Sequence, residues 1–171
     1  MTLSIAKAAA LFFLVAILQV TIVSSIGILG GSPDLVLVTL VAVALTQGSI
    51  FGAVTGFWAG LLMDVARLGT LGFTSLLLTL AGFWIGRYGE TTGRDRSHAP
   101  LLSVAVVTVL YAFGALALHV VLGDPVDATV LGRALLPTVL LNLLLTFPVY
   151  ALVRRVLGRP EWSRTEVRLL G

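Results

Sequence analysis

No cysteine occurs anywhere in the chain, so neither a disulfide nor a thiolate metal site can form. The two histidines, His98 and His119, lie at opposite ends of one apolar run and build no zinc site. Charge is scarce: Asp, Glu, Lys and Arg make up 11% of the residues, against about 25% in an ordinary soluble domain. A water-soluble protein of 171 residues with so little polar surface could not cover its core. The sequence also lacks a Walker motif, a GxSxG elbow and an HExxH helix. No pair of carboxylates sits inside an apolar run as a proton relay would require, and the two halves do not read as inverted repeats. The expectation is a protein that is not an enzyme and carries no cofactor or metal.

What the chain has in abundance is apolar sequence, 58% of residues, with a mean hydropathy of +1.07. The apolar residues fall into runs. Ile5 to Ile26 is the first, with Lys7 near its start. At about 1.5 Å per residue it spans a hydrocarbon core about 30 Å thick. It lacks a small-residue cleavage motif, so it reads as a span and not as a signal peptide. The breaker cluster Gly30-Gly31-Ser32-Pro33-Asp34 follows. Leu35 to Thr46 and Ile50 to Met63 are short runs separated by Gln47-Gly48-Ser49. Leu71 to Ile85 is the fourth run, extended by Gly86 and Arg87, and Tyr88 to His98 is the longest polar interruption. Pro100 opens the fifth run, to Leu122, at a position where a helix start tolerates proline. Leu135 to Leu157 is the sixth.

The predicted architecture is an all-α polytopic membrane protein of about six transmembrane helices, over 5–26, 34–47, 49–64, 70–87, 100–122 and 133–157. They form a single transmembrane domain, 1–158, followed by a basic tail, 159–171. The second and third helices are short. They either cross the bilayer with tilt or local thinning, or form a re-entrant hairpin buried in protein. Arginine and lysine set the orientation. With a cytoplasmic N-terminus, the inside segments carry nine basic residues: Lys7, Arg87, Arg94, Arg96, Arg154, Arg155, Arg159, Arg164 and Arg168. The outside segments carry two, Arg67 and Arg133. That bias places both termini in the cytoplasm. The isoelectric point near 10.0 therefore reflects topology, and nucleic acid is not expected as a partner.

Three groups of residues stand out. Gly48, Gly52, Gly56 and Gly60 recur every four residues, which aligns them on one helix face and lets another backbone approach closely. That face either packs inside the protein or receives a partner helix. Asp34, with Ser32 and Pro33, sits where a helix begins and reads as a cap. Asp64 closes its helix at the C-terminal end, where the dipole gives a carboxylate nothing. It is expected to pair with Arg67 or Arg133, or to serve a pocket or partner. Gln19, His119 and Asn142 read as interhelical hydrogen-bonding groups, with His119 near the outer end of its helix, and Pro137 and Pro148 as kinks. Arg87, Arg94 and Arg96, with Arg154 and Arg155, are expected first to hold the topology; the alternative is that they are cytoplasmic contacts for anionic lipid or filament proteins.

Ser32-Pro33-Asp34-Leu35, then Gly52-Ala-Val-Thr-Gly-Phe-Trp-Ala-Gly-Leu-Leu-Met-Asp64, then Gly69, Leu71 and Gly72 resemble the MreD family of bacterial rod-shape-determining membrane proteins. Residues 30 to 90 carry the resemblance. Outside them it rests on hydropathy, and Arg67-Leu68-Gly69-Thr70 departs from the family's usual serine- or proline-containing turn. The resemblance implies a scaffold in the inner membrane that binds MreC. Through MreC it would serve RodA, a class B penicillin-binding protein and MreB in cell elongation and peptidoglycan synthesis. It also implies a fold like the substrate-binding subunits of energy-coupling-factor transporters. That likeness supplies the alternative, a vitamin-binding transporter subunit. A bound lipid is a third reading. Pro33, Asp34, Asp64, Arg67, Gly69 and Gly72 are the motif residues expected at a pocket or partner contact.

Overall fold

In the computed structural model the chain is all-α, and residues 2–21, 27, 30–68, 70–92, 98–123 and 128–158 are described. Among the described residues six helices follow in order: α1 (Thr2–Thr21), α2 (Leu35–Gln47), α3 (Ser49–Ala66), α4 (Phe73–Thr92), α5 (Ala99–Leu122) and α6 (Ala128–Leu157). Of these, α3, most of α5 and most of α6 are long and apolar enough to cross a membrane.

The shortest helix is the centre of the bundle. Every residue from Val36 to Thr46 is buried, so α2 is covered on all sides. A helix that is apolar all round belongs in such a place. One side of it packs with Ala8, Leu11 and Val15 of α1, Ala59 and Met63 of α3, Leu78 of α4 and Val153 and Leu157 of α6. The other packs with Ile85 of α4 and Val104 and Val107 of α5. The large outward side chains of the surrounding helices are apolar. They include Phe13 and Leu14 on α1, Trp58 on α3, Trp84 on α4, Phe113 on α5 and Leu144 on α6, each more than half exposed. Apolar outside and polar inside is the pattern a lipid solvent selects.

The helix ends differ from expectation in informative ways. α4 continues past Arg87 to Thr92. Gly89 lies against the backbone of Leu45, and Glu90 is bonded to Ser49, so part of the polar stretch is helix docked on its neighbours. α6 begins at Ala128, ahead of the expected 133, and α3 runs two residues past Asp64. α1 ends at Thr21 among the described residues.

The turn between α2 and α3 requires Gly48. Its φ is +95°, a region costly to any residue with a Cβ. Gly48 thus makes the turn between two helices, and its backbone lies against Gly86 of α4 at the head of the glycine face. The turn sits at one end of the bundle: Gln47 Nε2 donates to the carbonyl of Gly158, just past α6 (3.2 Å). The opposite end of α2 lies deeper. The Asp34 N–H donates to Asn142 Oδ1 (2.7 Å), and Gly31 packs against Pro137 and Thr138. The segment before α2 therefore descends along α6 before the helix begins. At about 1.5 Å per residue, α2 is only about 20 Å long.

Candidate functional site

Two constructions hold the family-motif residues. The first is the start of α2. A helix start leaves backbone N–H groups unpaired, and here they are half-buried between neighbouring helices. The cap residue itself and two other helices supply the partners. Asp34 caps α2 by accepting from the Leu37 N–H at Oδ1 (2.9 Å). Gln19 of α1 donates from Nε2 to the carbonyl of Pro33 (3.0 Å) and accepts the Leu35 N–H at Oε1 (2.8 Å). Asn142 of α6 takes the Asp34 N–H and donates from Nδ2 to Thr108 Oγ1 of α5 (3.1 Å). Thr108 in turn donates to the Val104 carbonyl (2.7 Å). Gln19 and Asn142 are 2% and 0% exposed. The Pro-Asp segment is thus clamped between α1 and α6.

The second construction is the α3–α4 hairpin. Gly52, Gly56 and Gly60 face α4. A Cβ at any of them would come under 3.0 Å from α4 backbone: the Gly82 carbonyl, the Leu78 carbonyl and Ser75 respectively. Gly82 and Gly86 answer from α4, against Gly52 and Ser49. The glycine face expected either to pack internally or to receive a partner helix is occupied by α4.

Carboxylates close both ends of this hairpin. Asp64, at the end of α3, accepts from the N–H groups of Gly72 (2.8 Å), Thr74 (3.0 Å) and Ser75 (3.4 Å) at the start of α4. Glu90, near the end of α4, accepts from the N–H (2.7 Å) and hydroxyl of Ser49 at the start of α3. Each helix thus carries near its C-terminus the acid that caps the other's N-terminus, where the dipole favours negative charge. Backbone donation from Ser49, with help from Arg87, holds the Glu90 carboxyl below its usual range. The expected pairing of Asp64 with Arg67 or Arg133 is not made among the described residues. Asp64 is 3% exposed and serves backbone amides, while Arg67 and Arg133 are exposed.

The other expected site residues scatter. Pro33 is buried beside Gln19, and Gly72 turns the chain into α4 with φ +91°. Arg87 pairs with Glu90 (3.6 Å). Arg154 lies over the Tyr150 ring, 5.8 Å from its centroid, and Arg155 is exposed. Gly69, Arg94, Arg96 and the tail arginines lie outside the described residues. Sequence reasoning missed Glu90 and the α4 glycines. The repeat Gly82, Gly86 on α4, with the same spacing as the α3 ladder, was the available signal.

An apolar bundle with polar groups bonded inside and large hydrophobes outside defines a polytopic α-helical membrane protein. This chain belongs to the MreD family: the family model described as rod shape-determining protein MreD matches residues 5–157. Comparison with curated proteins and with solved structures gave no match.

Proposed function

We propose that the chain is a non-enzymatic scaffold subunit of the bacterial cell-elongation complex, binding MreC in the inner membrane and through it supporting RodA, a class B penicillin-binding protein and MreB. The observation that carries this reading is the family match over nearly the whole helical bundle. The polar groups agree with a scaffold. Gln19, Asn142, Asp64 and Glu90 are bonded to backbone or to neighbouring hydroxyls, so they brace helices against one another.

In this reading all six helices span, with both termini cytoplasmic. Two features favour two passes for α2 and α3 over a re-entrant hairpin. Their shared turn lies beside Gly158 at the end of α6 and beside Glu90 near the end of α4. The mismatch of short α2 is met by burial, since protein covers both its sides and Gly31 and Pro33 before it are buried. The exposed Lys7, Arg87, Arg154 and Arg155 would meet anionic lipid at the inner surface.

The test is capture. Full-length chain, tagged and extracted in mild detergent, is expected to bring down co-expressed MreC. No capture under conditions that preserve the fold overturns the assignment. A rise in melting temperature with a free vitamin, and no capture of MreC, would move the chain to the transporter-subunit class.

A further inference from the structure

A partner helix needs a surface, and α4 already fills the glycine face of α3. The outward faces that remain are apolar, and lipid covers an apolar face as well as a helix does. One of them, on α6, carries more than hydrocarbon. Pro148 stands inside this helix and has no N–H, so the carbonyl of Leu144 has no donor four residues on. Leu144 is 71% and Phe147 65% exposed, and Pro148 is exposed beside them. The proline ring lies against this carbonyl, so the carbonyl faces outward with it. Leu144 is fourteen residues before Gly158, about 21 Å along the axis, well inside a hydrocarbon layer about 30 Å thick. Neither water nor an acyl chain offers a proton there. The nearest hydroxyl on α6 does not help: Thr146 is buried and donates to the Asn142 carbonyl (2.8 Å).

We propose that Leu140, Leu144, Phe147 and Ala151 on α6 seat a transmembrane helix of another protein, one that carries a hydroxyl or amide donor near its middle. Spacings of four, three and four along the helix make a continuous seam, and Ala151 lets a second backbone come close. A second copy of this chain fits poorly. Among the described residues the mid-depth hydroxyls of Thr39, Thr108 and Thr146 are buried, and those of Thr55 and Thr79 donate to their own helices. The exposed indoles, Trp58 on α3 and Trp84 on α4, lie on other helices, so a second copy using either would meet α6 head to tail and not through a symmetric pair. The inference rests on the partner-binding reading but fails separately from it.

The absence of cysteine makes the test clean. Leu144→Cys and Phe147→Cys, with Phe13→Cys on α1 and Leu80→Cys on α4 for comparison, are co-expressed with the single-pass partner carrying one cysteine at successive turns of its helix. Oxidised membranes are then examined for disulfide-linked pairs. Links from 144 and 147, and none from 13 or 80, are expected. Pro148→Ala restores the missing donor. It should lower captured partner about threefold, the size of one interhelical hydrogen bond, with folded yield retained. Links from α1 or α4 instead, links from α6 only to a second copy, or undiminished capture by Pro148→Ala with no α6 links each overturn the proposal. If unmodified chain captures no partner at all, the partner-binding reading falls and takes this one with it.

Discussion

The α3–α4 hairpin and the α5–α6 pair solve the same problem by different means. In the hairpin, backbones touch: Gly52 meets Gly82, and Gly56 meets the Leu78 carbonyl. In the α5–α6 pair, side chains intervene, with Asn142 reaching Thr108 across the gap and Val107 and Leu145 packing in one cluster. Lipid gives helices no hydrophobic reason to associate, so close van der Waals packing and hydrogen bonds must do it. The hairpin uses both to the full and has no capacity left over on its glycine face. The α5–α6 pair leaves a proline and an outward seam. The lesson is that a small-residue face in a polytopic protein locates its tightest internal joint, and a partner is better sought where backbone polarity remains unmet.

The sharpest way to break this contrast is to place bulk in each region. Gly56→Leu drives a side chain into the α4 backbone, which cannot yield as a flexible side chain does. Overpacking a core costs about 1–3 kcal/mol and sometimes more, and here the upper end is expected, seen as loss of monodisperse protein in detergent. Gly132→Leu on α6 meets nothing within 4 Å and should leave the melting temperature unchanged. Equal damage from both would show that the hairpin is not specially tight. Next in size is Asp64→Ala. It strands the Gly72 and Thr74 amides, and hydrogen bonds to a charged acceptor are worth about 1.5–3 kcal/mol. Asn142→Leu tests the other pair. It leaves the Asp34 N–H and Thr108 without their partner, at about 1–3 kcal/mol for a buried unsatisfied group. Chemical unfolding in mixed micelles measures both. A neutral Asn142→Leu would mean that the α5–α6 pair does not depend on its polar bridge.

Much of this was legible in the sequence. The six apolar runs became six helices because each is bounded by Gly, Pro or polar breakers, and Asp34 announced itself by standing before an apolar run. The depth of α2 was hidden. A 13-residue helix is ambiguous by length alone, and only the contacts of Gly31 and Asp34 with α6 and of Gln47 with Gly158 reveal an extended approach followed by a half-length helix. The partner of Asp64 was equally hidden. A carboxylate at a helix C-terminus suggests a nearby cation, but the following turn folds back and offers backbone N–H groups, which no periodicity encodes. Glu90 escaped notice because it sits in a stretch that reads as loop, and its purpose appears only when α3 lies beside it.

The smallest expected effect concerns Glu90, and it separates the two ends of the hairpin by pH. Its side chain is partly exposed, so solvent screens the contribution and the cap is weaker than that of buried Asp64. Its folded pKa is lowered, chiefly by the Ser49 N–H. A depressed carboxyl stabilises the fold above its unfolded value, ordinarily 4.5, and that stability is lost as pH falls through the folded value. Acidification from pH 6 to pH 3 should therefore lower the melting temperature of the intact chain more than that of Glu90→Gln. Near neutral pH the variant should lose only a small part of its stability, because the glutamine oxygen still accepts from Ser49. Hydrogen exchange at the first turn of α3 localises the effect. Faster exchange at Ser49 in Glu90→Gln, with the first turn of α4 unchanged, is expected if the two acids act as separate caps. Equal loosening at both ends would mean instead that the hairpin opens as one unit, held by its glycine seam alone.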